Sequence, residues 1–328
     1  MKDIYIKKED RRRTARNKRK IHQAKTLFRA VDVLCDNAQN RCPYVKKNDR
    51  KRIYTLRDIV YERSHADVCR LDYYRVPTDR ISPSVMIIHG GGFTAGDKKY
   101  RRALSQWFAL NGFAVFCVNY GLAPEYVFPK SLEHLVAAGN YIAENADKYR
   151  IDKNRMLVCG DSAGAYFASM LAALSSSDKL RSALGIVPEF EVHGALLNCG
   201  VYDLGTALTA KSPLDIIGSV IVSFAGVDAD SLDTYAYRDA CMAADYVTHE
   251  FPKSFLIYSG ADMFCKGHTE VMLEKLAACG VEHDSYKAKS KLSNHCFSLT
   301  WRSKDAVQAN TRMMNFAKYV AFGEKYCK

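Results

Sequence analysis

Residues 156–167 read MLVCGDSAGAYF. An apolar run, Met156 to Cys159, meets Gly160-Asp161-Ser162-Ala163-Gly164 and continues into a stretch suited to a helix. This is the pattern of a strand that turns sharply into a helix with one serine at the turn. Two glycines flank the serine because the backbone there is strained and neighbouring side chains would collide. The turn also sets Ser162 at the start of a helix, where the amide of Ala163 and the helix dipole face negative charge.

A serine hydroxyl is a weak nucleophile at neutral pH. It needs a base for its proton and donors for the oxyanion that its attack creates. Upstream, SVMIIHGGGF ends another strand-like run in Gly90, Gly91 and Gly92. Three glycines leave amides bare toward a substrate oxygen, so Gly91 and Gly92, with Ala163, are the expected oxyanion donors. His89 stands too early in the chain to be the base and is expected to brace this loop. The same glycines also fit the dinucleotide fingerprint, but the next strand ends in Val118-Asn119-Tyr120 without the ribose-binding carboxylate. In this type of site the acid and the base follow the serine in that order. SFLIYSGADMFC supplies Asp262 after a strand, and SKLSNHCF supplies His295 in a polar loop. Asp245, Asp284, His268 and His283 compete for these roles and read as surface, capping or strand residues. Five aromatic residues, Phe93, Tyr166, Tyr202, Phe224 and Phe264, are candidates for the substrate pocket or for core filling.

Strand-like and helix-like runs alternate from about residue 69 onward. Several strands, such as SVMIIH and FAVFCVNY, are apolar on both faces, which suits a parallel sheet covered by helices on each side. Helices are expected near 100–111, 131–148, 163–177, 267–279 and 304–322. Residues 203–250 carry no clear strand and read as an insertion above the sheet. No stretch is apolar enough for a membrane span, and the charged N-terminus lacks the apolar centre of an export signal, so the expected location is cytoplasmic.

The net charge of +12 is concentrated at one end. Residues 1–63 hold 20 Lys and Arg against 8 Asp and Glu. That segment is expected to be mostly helical, with IHQAKTLFRAVDVLCDNA as its best amphipathic stretch. It is the candidate for weak contact with an anionic surface; no nucleic-acid motif accompanies it, and none is expected to bind. The 11 cysteines show no C-x-x-C pair and read as free thiols. Cys265 and Cys296 flank the candidate acid and base, so their sulfurs would come close if the two loops meet.

Taken together, His89-Gly90-Gly91-Gly92-Phe93, Gly160-Asp161-Ser162-Ala163-Gly164 and the linking Asn119-Tyr120-Gly121-Leu122-Ala123-Pro124-Glu125 with Phe128-Pro129 resemble the hormone-sensitive-lipase-like family of carboxylesterases. The resemblance covers about residues 70–322. It implies the α/β-hydrolase fold, with a mostly parallel sheet of about eight strands, flanking helices and a helical cap. Residues 70–328 would form the catalytic domain with the cap insertion at about 203–250, and residues 1–69 a basic segment that is a candidate part of the cap. The implied activity is hydrolysis of short to medium acyl esters through a triad of Ser162, Asp262 and His295, with no cofactor and no metal. An amidase or arylformamidase on the same triad, and a non-catalytic ligand-binding protein on this fold, are the alternatives. The expected partner is a small-molecule ester; a homodimer stays open. Three places depart from the pattern: Gly121 stands where that family often has Arg, His134 where it often has Asp, and Met263-Phe264-Cys265-Lys266 lacks the second carboxylate often seen after the acid.

Overall fold

The computed structural model describes residues 18–33, 42–203, 216–227, 231 and 234–326. Eight strands form one sheet: β1 Tyr54–Val60, β2 Arg70–Arg75, β3 Ser82–Ile88, β4 Ala114–Val118, β5 Ile151–Asp161, β6 Gly194–Asn198, β7 Lys253–Tyr258 and β8 His283–Lys287. Their order across the sheet is β1-β2-β4-β3-β5-β6-β7-β8. β2 runs antiparallel to both β1 and β4, and the remaining neighbours are parallel. This strand order, with its antiparallel β2, is that of the α/β-hydrolase fold the sequence implied.

The doubly apolar strands follow from a core on each side of the sheet. Side chains alternate along a strand, so Met86 and Ile88 of β3 enter one core while Val85 and Ile87 enter the other. β4 divides in the same way, with Phe116 and Val118 on one side and Val115 and Cys117 on the other. The helices Lys130–Glu144, Ala163–Ser176 and His268–Ala278 cover the first face through Leu135, Leu171 and Met272. Arg102–Leu110 and Lys304–Phe322 cover the second through Phe108 and Phe316. Lys304–Phe322 begins where the hydroxyl of Ser303 accepts from Ala306 N and stops at Gly323, whose φ of 71° ends the helical backbone.

The segment before residue 63, expected to be mostly helical, contributes β1 to the sheet edge. Its alternation is obscured by Arg57 and Asp58 and by a register shift between Leu56 and Ile59. Asp58 sits in the left-handed region at φ 55°, as a bulged edge strand permits. A helix at 18–33 covers the amphipathic stretch in part; residues 1–17 and 34–41 of the basic segment lie outside the described residues. Of the expected insertion at 203–250, residues 204–215, 228–230 and 232–233 lie outside them too. The described part holds the helix Ile216–Ala225 and a short 3-10 turn, Ala243–Tyr246. No helix among the described residues is long and apolar enough to cross a membrane.

Candidate active site

Four loops leave the same edge of the parallel strands: after β3, β5, β7 and β8. In open α/β sheets ligands bind at that carboxyl edge. The loops carry Gly90–Gly92, Ser162, Asp262 and His295 respectively.

The turn after β5 shows why two glycines flank Ser162. The serine itself is held at φ 52° and ψ −121°. A Cβ on Gly160 would sit 2.2 Å from Gly164 O, and one on Gly164 would sit 2.1 Å from Ile88 O. Both are distances no real Cβ tolerates, so the helix Ala163–Ser176 can approach β3 only with glycine there. Ser162 N donates to Asn198 O at 2.8 Å, which ties the turn to the end of β6.

Ser162, His295 and Asp262 meet. His295 Nε2 lies 2.9 Å from Ser162 Oγ, and His295 Nδ1 lies 2.8 Å from Asp262 Oδ2. The amides of Phe264 and Cys265 each donate to Asp262 Oδ1 at 2.8 Å. Burial alone would raise the Asp262 carboxyl; the contact with His295 and these two amides outweigh it and hold its pKa below the usual value. An ionised Asp262 that accepts at Nδ1 fixes the tautomer in which Nε2 has its lone pair toward the serine.

Two further residues hold the base in place. Asn294 Oδ1 accepts from Met263 N at 3.2 Å, joining the acid loop to the base loop. Buried Asp305, on the last helix, accepts from Lys289 N, Ser290 N, Ser293 Oγ and Tyr286 Oη at 2.8–3.0 Å. Burial would raise the Asp305 carboxyl, but the bonds from Ser290, Lys289, Tyr286 and Ser293 bring it down to about 2.

The glycine loop is fixed from below. Gly90 N donates to Asp161 Oδ2 at 3.2 Å, and Arg101 grips Asp161 with Nε at 2.5 Å and Nη2 at 2.6 Å. Thus the residue before the serine also anchors the loop that faces it, through a buried two-pronged ion pair. Gly91 and Gly92 have φ of 129° and 59°, and among the described residues neither amide donates a hydrogen bond. His89 is buried, bonded through Nδ1 to Gly90 O at 2.8 Å and stacked on Tyr120. Burial lowers its pKa to about 4, so it stays a neutral brace.

The competing residues lie elsewhere. Asp284 is engaged by Arg312 and Tyr326, and Asp245 by Lys275. His268 lies at a helix start near Asp203 N, and His283 bonds to Val281 O. Two of the departures from the family pattern touch each other: Gly121 N donates to His134 Nδ1 at 3.1 Å. A side chain at 121 would collide with His134 and Tyr126.

A cavity of about 150 Å³ opens on Ser162 and His295. Phe264 lines it, as expected, together with Phe28, Val31 and Asp32 of the helix at 18–33. The N-terminal helix is therefore a wall of the site, and Phe28 packs so tightly on Gly92 that a Cβ there would sit 2.4 Å from its ring. Phe93, Tyr166 and Phe224 do not line this cavity. They pack on one another at 4.6–5.5 Å between ring centres, in the core beneath the insertion. Tyr202 is fully buried below the acid and base loops. A larger cavity of about 520 Å³ lies on the other side of the glycine loop, against Lys25, Arg29 and His89, and does not include Ser162.

The acid and base loops do meet: Cys265 Sγ lies within 4.8 Å of a ring nitrogen of His295, and Cys296 Sγ lies within 4.8 Å both of that ring and of Cys199 Sγ, a third thiol that the sequence did not bring in. Cys199 sits just past β6, a contact between loops that sequence spacing gives no sign of. Asp32, Arg101 and Asp305 were likewise beyond sequence reading, since each meets the site across more than a strand–helix unit and no motif marks it.

The fold has close parallels among solved structures. Esterase B from Lactobacillus Rhamnosis is 20% identical, over 94% of this chain and 97% of that one, with a TM-score of 0.77. An esterase from Pyrobaculum calidifontis is 19% identical over 92% of each chain, with a TM-score of 0.68. An acetyl ester-xyloside bifunctional hydrolase from Caldicellulosiruptor lactoaceticus is 18% identical over 76% of this chain and 88% of that one, with a TM-score of 0.65. These likenesses establish the fold. The BD-FAE family model matches residues 71–276, well over half of the chain, a span that runs from β2 through the serine turn and the candidate acid to the helix His268–Ala278; the chain thus belongs to the BD-FAE family of α/β-hydrolase-type esterases.

Proposed function

We propose that the protein hydrolyses short to medium acyl esters through an acyl-enzyme on Ser162. The reading is carried by one observation: an unbroken line of hydrogen bonds from Ser162 Oγ through His295 to Asp262, at 2.9 Å and 2.8 Å. Each separation is within the reach at which a base takes a nucleophile's proton and a carboxylate orients the base.

His295 Nε2 takes the proton of Ser162 as Oγ attacks the ester carbonyl. The amides of Gly91, Gly92 and Ala163 receive the oxyanion, with the N-terminus of the helix Ala163–Ser176 adding its partial positive charge. His295 then gives the proton to the departing alcohol. Water enters, His295 takes its proton in turn, and the acyl group leaves Ser162. Asp262 stays ionised throughout and offsets the positive charge on the imidazolium. One lost oxyanion donor costs about 3 kcal/mol of transition-state stabilisation.

The size of the cavity supports a short acyl group, because about 150 Å³ is below the range of sites that hold drug-sized ligands. Leu27, Phe28 and Val31 give that space an apolar side. The description of the Caldicellulosiruptor enzyme as an acetyl ester hydrolase points the same way.

A fluorophosphonate probe tests the serine without knowledge of the natural ester. Intact protein is expected to become labelled and Ser162→Ala to remain blank. Equal labelling of both proteins, or none of either together with inertness toward activated esters, refutes the reading. A series of p-nitrophenyl acetate, butyrate and octanoate is expected to show kcat/KM falling at octanoate.

A further inference from the structure

The geometry points to an inhibitory binding site for a soft divalent metal ion, zinc above all, formed by Cys199, Cys296 and the imidazole of His295. The two sulfurs and a ring nitrogen of His295 all lie within 4.8 Å of one another. Ligand atoms around a tetrahedral zinc with two sulfurs and one nitrogen stand about 3.5–3.8 Å apart, from Zn–S of about 2.3 Å and Zn–N of about 2.0–2.1 Å. A contraction of about 1 Å therefore closes the site.

Three observations set this cluster apart from ordinary buried thiols. First, both cysteines stand in left-handed backbone, at φ 49° for Cys199 and 50° for Cys296. That conformation is seldom adopted by residues other than glycine, yet here two such residues bring their thiols into contact beside one imidazole. Second, Tyr202 is fully buried, and Cys199, Cys265 and Cys296 all act electrostatically on its hydroxyl. A buried polar group thus stands beside this thiol cluster. Third, metal-binding histidines commonly give their other ring N–H to a carboxylate. Asp262 already holds Nδ1 in that way, which leaves the Nε2 lone pair for a metal.

The donor set decides which ion fits. Two thiols and an imidazole favour zinc and its softer relatives over magnesium or calcium, which prefer oxygen. The ion enters through the cavity that opens on Ser162, because His295 and Cys296 both line it. Binding forms two Zn–S bonds and one Zn–N bond, breaks two S–H bonds and sends two protons to solvent. The metal then occupies the lone pair that would take the Ser162 proton, so turnover stops. That consequence rests on the function proposed above; the binding does not.

Reduced, metal-free protein titrated with Co²⁺ tests the site, since cobalt thiolates have a strong charge-transfer absorption. The expected result is a band that saturates at a single equivalent, is displaced by Zn²⁺, and is accompanied by proton release. Cys199→Ser and Cys296→Ser are each expected to weaken binding by about tenfold or more, while Cys69→Ser, remote from the triad, leaves it unchanged. Ser162→Ala is expected to retain the band, so the result does not depend on turnover. Should the cysteine variants fail to fold, protection of Cys296 from alkylation by Zn²⁺ in the intact protein gives the same information. A missing band, a band that survives Cys296→Ser, or unprotected Cys296 overturns the site. Zinc binding that leaves fluorophosphonate labelling of Ser162 undiminished overturns its inhibitory role. A protein that binds zinc but turns over no ester keeps the site and refutes the esterase reading instead.

Discussion

Asp32 has no role in the proposed chemistry, yet it is 6% exposed and lines the cavity beside Ser162. Its Oδ2 has no hydrogen-bond partner. The nearby Arg101 is already engaged by Asp161 through both prongs of its guanidinium. Burial raises the Asp32 carboxyl from 3.8 to about 6, and the pull of Arg101 offsets this only in part. The sign follows directly. Between pH 3.8 and about 6 the unfolded chain loses this proton before the folded one does. Stability is therefore greatest below the lower value, falls as pH rises, and levels off above the upper one. A shift of about two units at about 1.4 kcal/mol each sets the loss at about 3 kcal/mol. Asp32→Asn keeps the shape and removes the charge. In urea unfolding at a series of pH values, the variant is expected to gain on the intact protein as pH rises from 4 to 7. The gain reaches about 3 kcal/mol at neutral pH relative to pH 3. A stability difference that is flat with pH, or that runs the other way, would show that Asp32 is not an uncompensated buried carboxylate.

Asp305→Ala is expected to behave in the opposite sense. Its carboxyl is held down at about 2, so its contribution is full above pH 3.8 and is lost as pH falls from 3.8 to about 2. The gap between variant and intact protein in urea unfolding is expected to narrow in acid. At neutral pH the variant frees the stretch that leads to His295, so kcat is expected to fall while KM changes little. Gly164→Ala places a Cβ 2.1 Å from Ile88 O, a backbone atom that cannot swing aside. Overpacking of this kind costs about 1–3 kcal/mol, and because Ile88 leads into the glycine loop, a loss of activity larger than the loss of urea stability is expected.

What sequence could and could not reveal divides along a physical line. Ser162, the glycine loop, Asp262 and His295 were legible because each depends on local backbone demands: a strained turn, bare amides, a loop at a strand end. The doubly apolar strands were legible because a two-sided core leaves its mark on every residue. The N-terminal helix as a wall of the site was not legible. Its amphipathic pattern reports that one face is covered but not by what, and its basic residues drew attention to solvent while Phe28 and Asp32 face the serine. β1 was hidden for a related reason, since an edge strand with a bulge carries charge where a central strand carries valine. The aromatic residues were poor markers of the cavity beside Ser162 because ring size favours burial in any core: of the five only Phe264 lines it, while Tyr166 packs against the four rings of Phe93, Phe128, Phe167 and Phe224. The cysteines show the same limit. Spacing placed Cys265 and Cys296 beside the candidate acid and base but gave no sign of Cys199; the sheet brings β6 between β5 and β7. That order, which no local pattern encodes, is what sets Cys199 beside the base. The candidate nucleophile, acid and base can be read along the chain; Asp32 and Cys199 reach them only across elements that are neighbours in space.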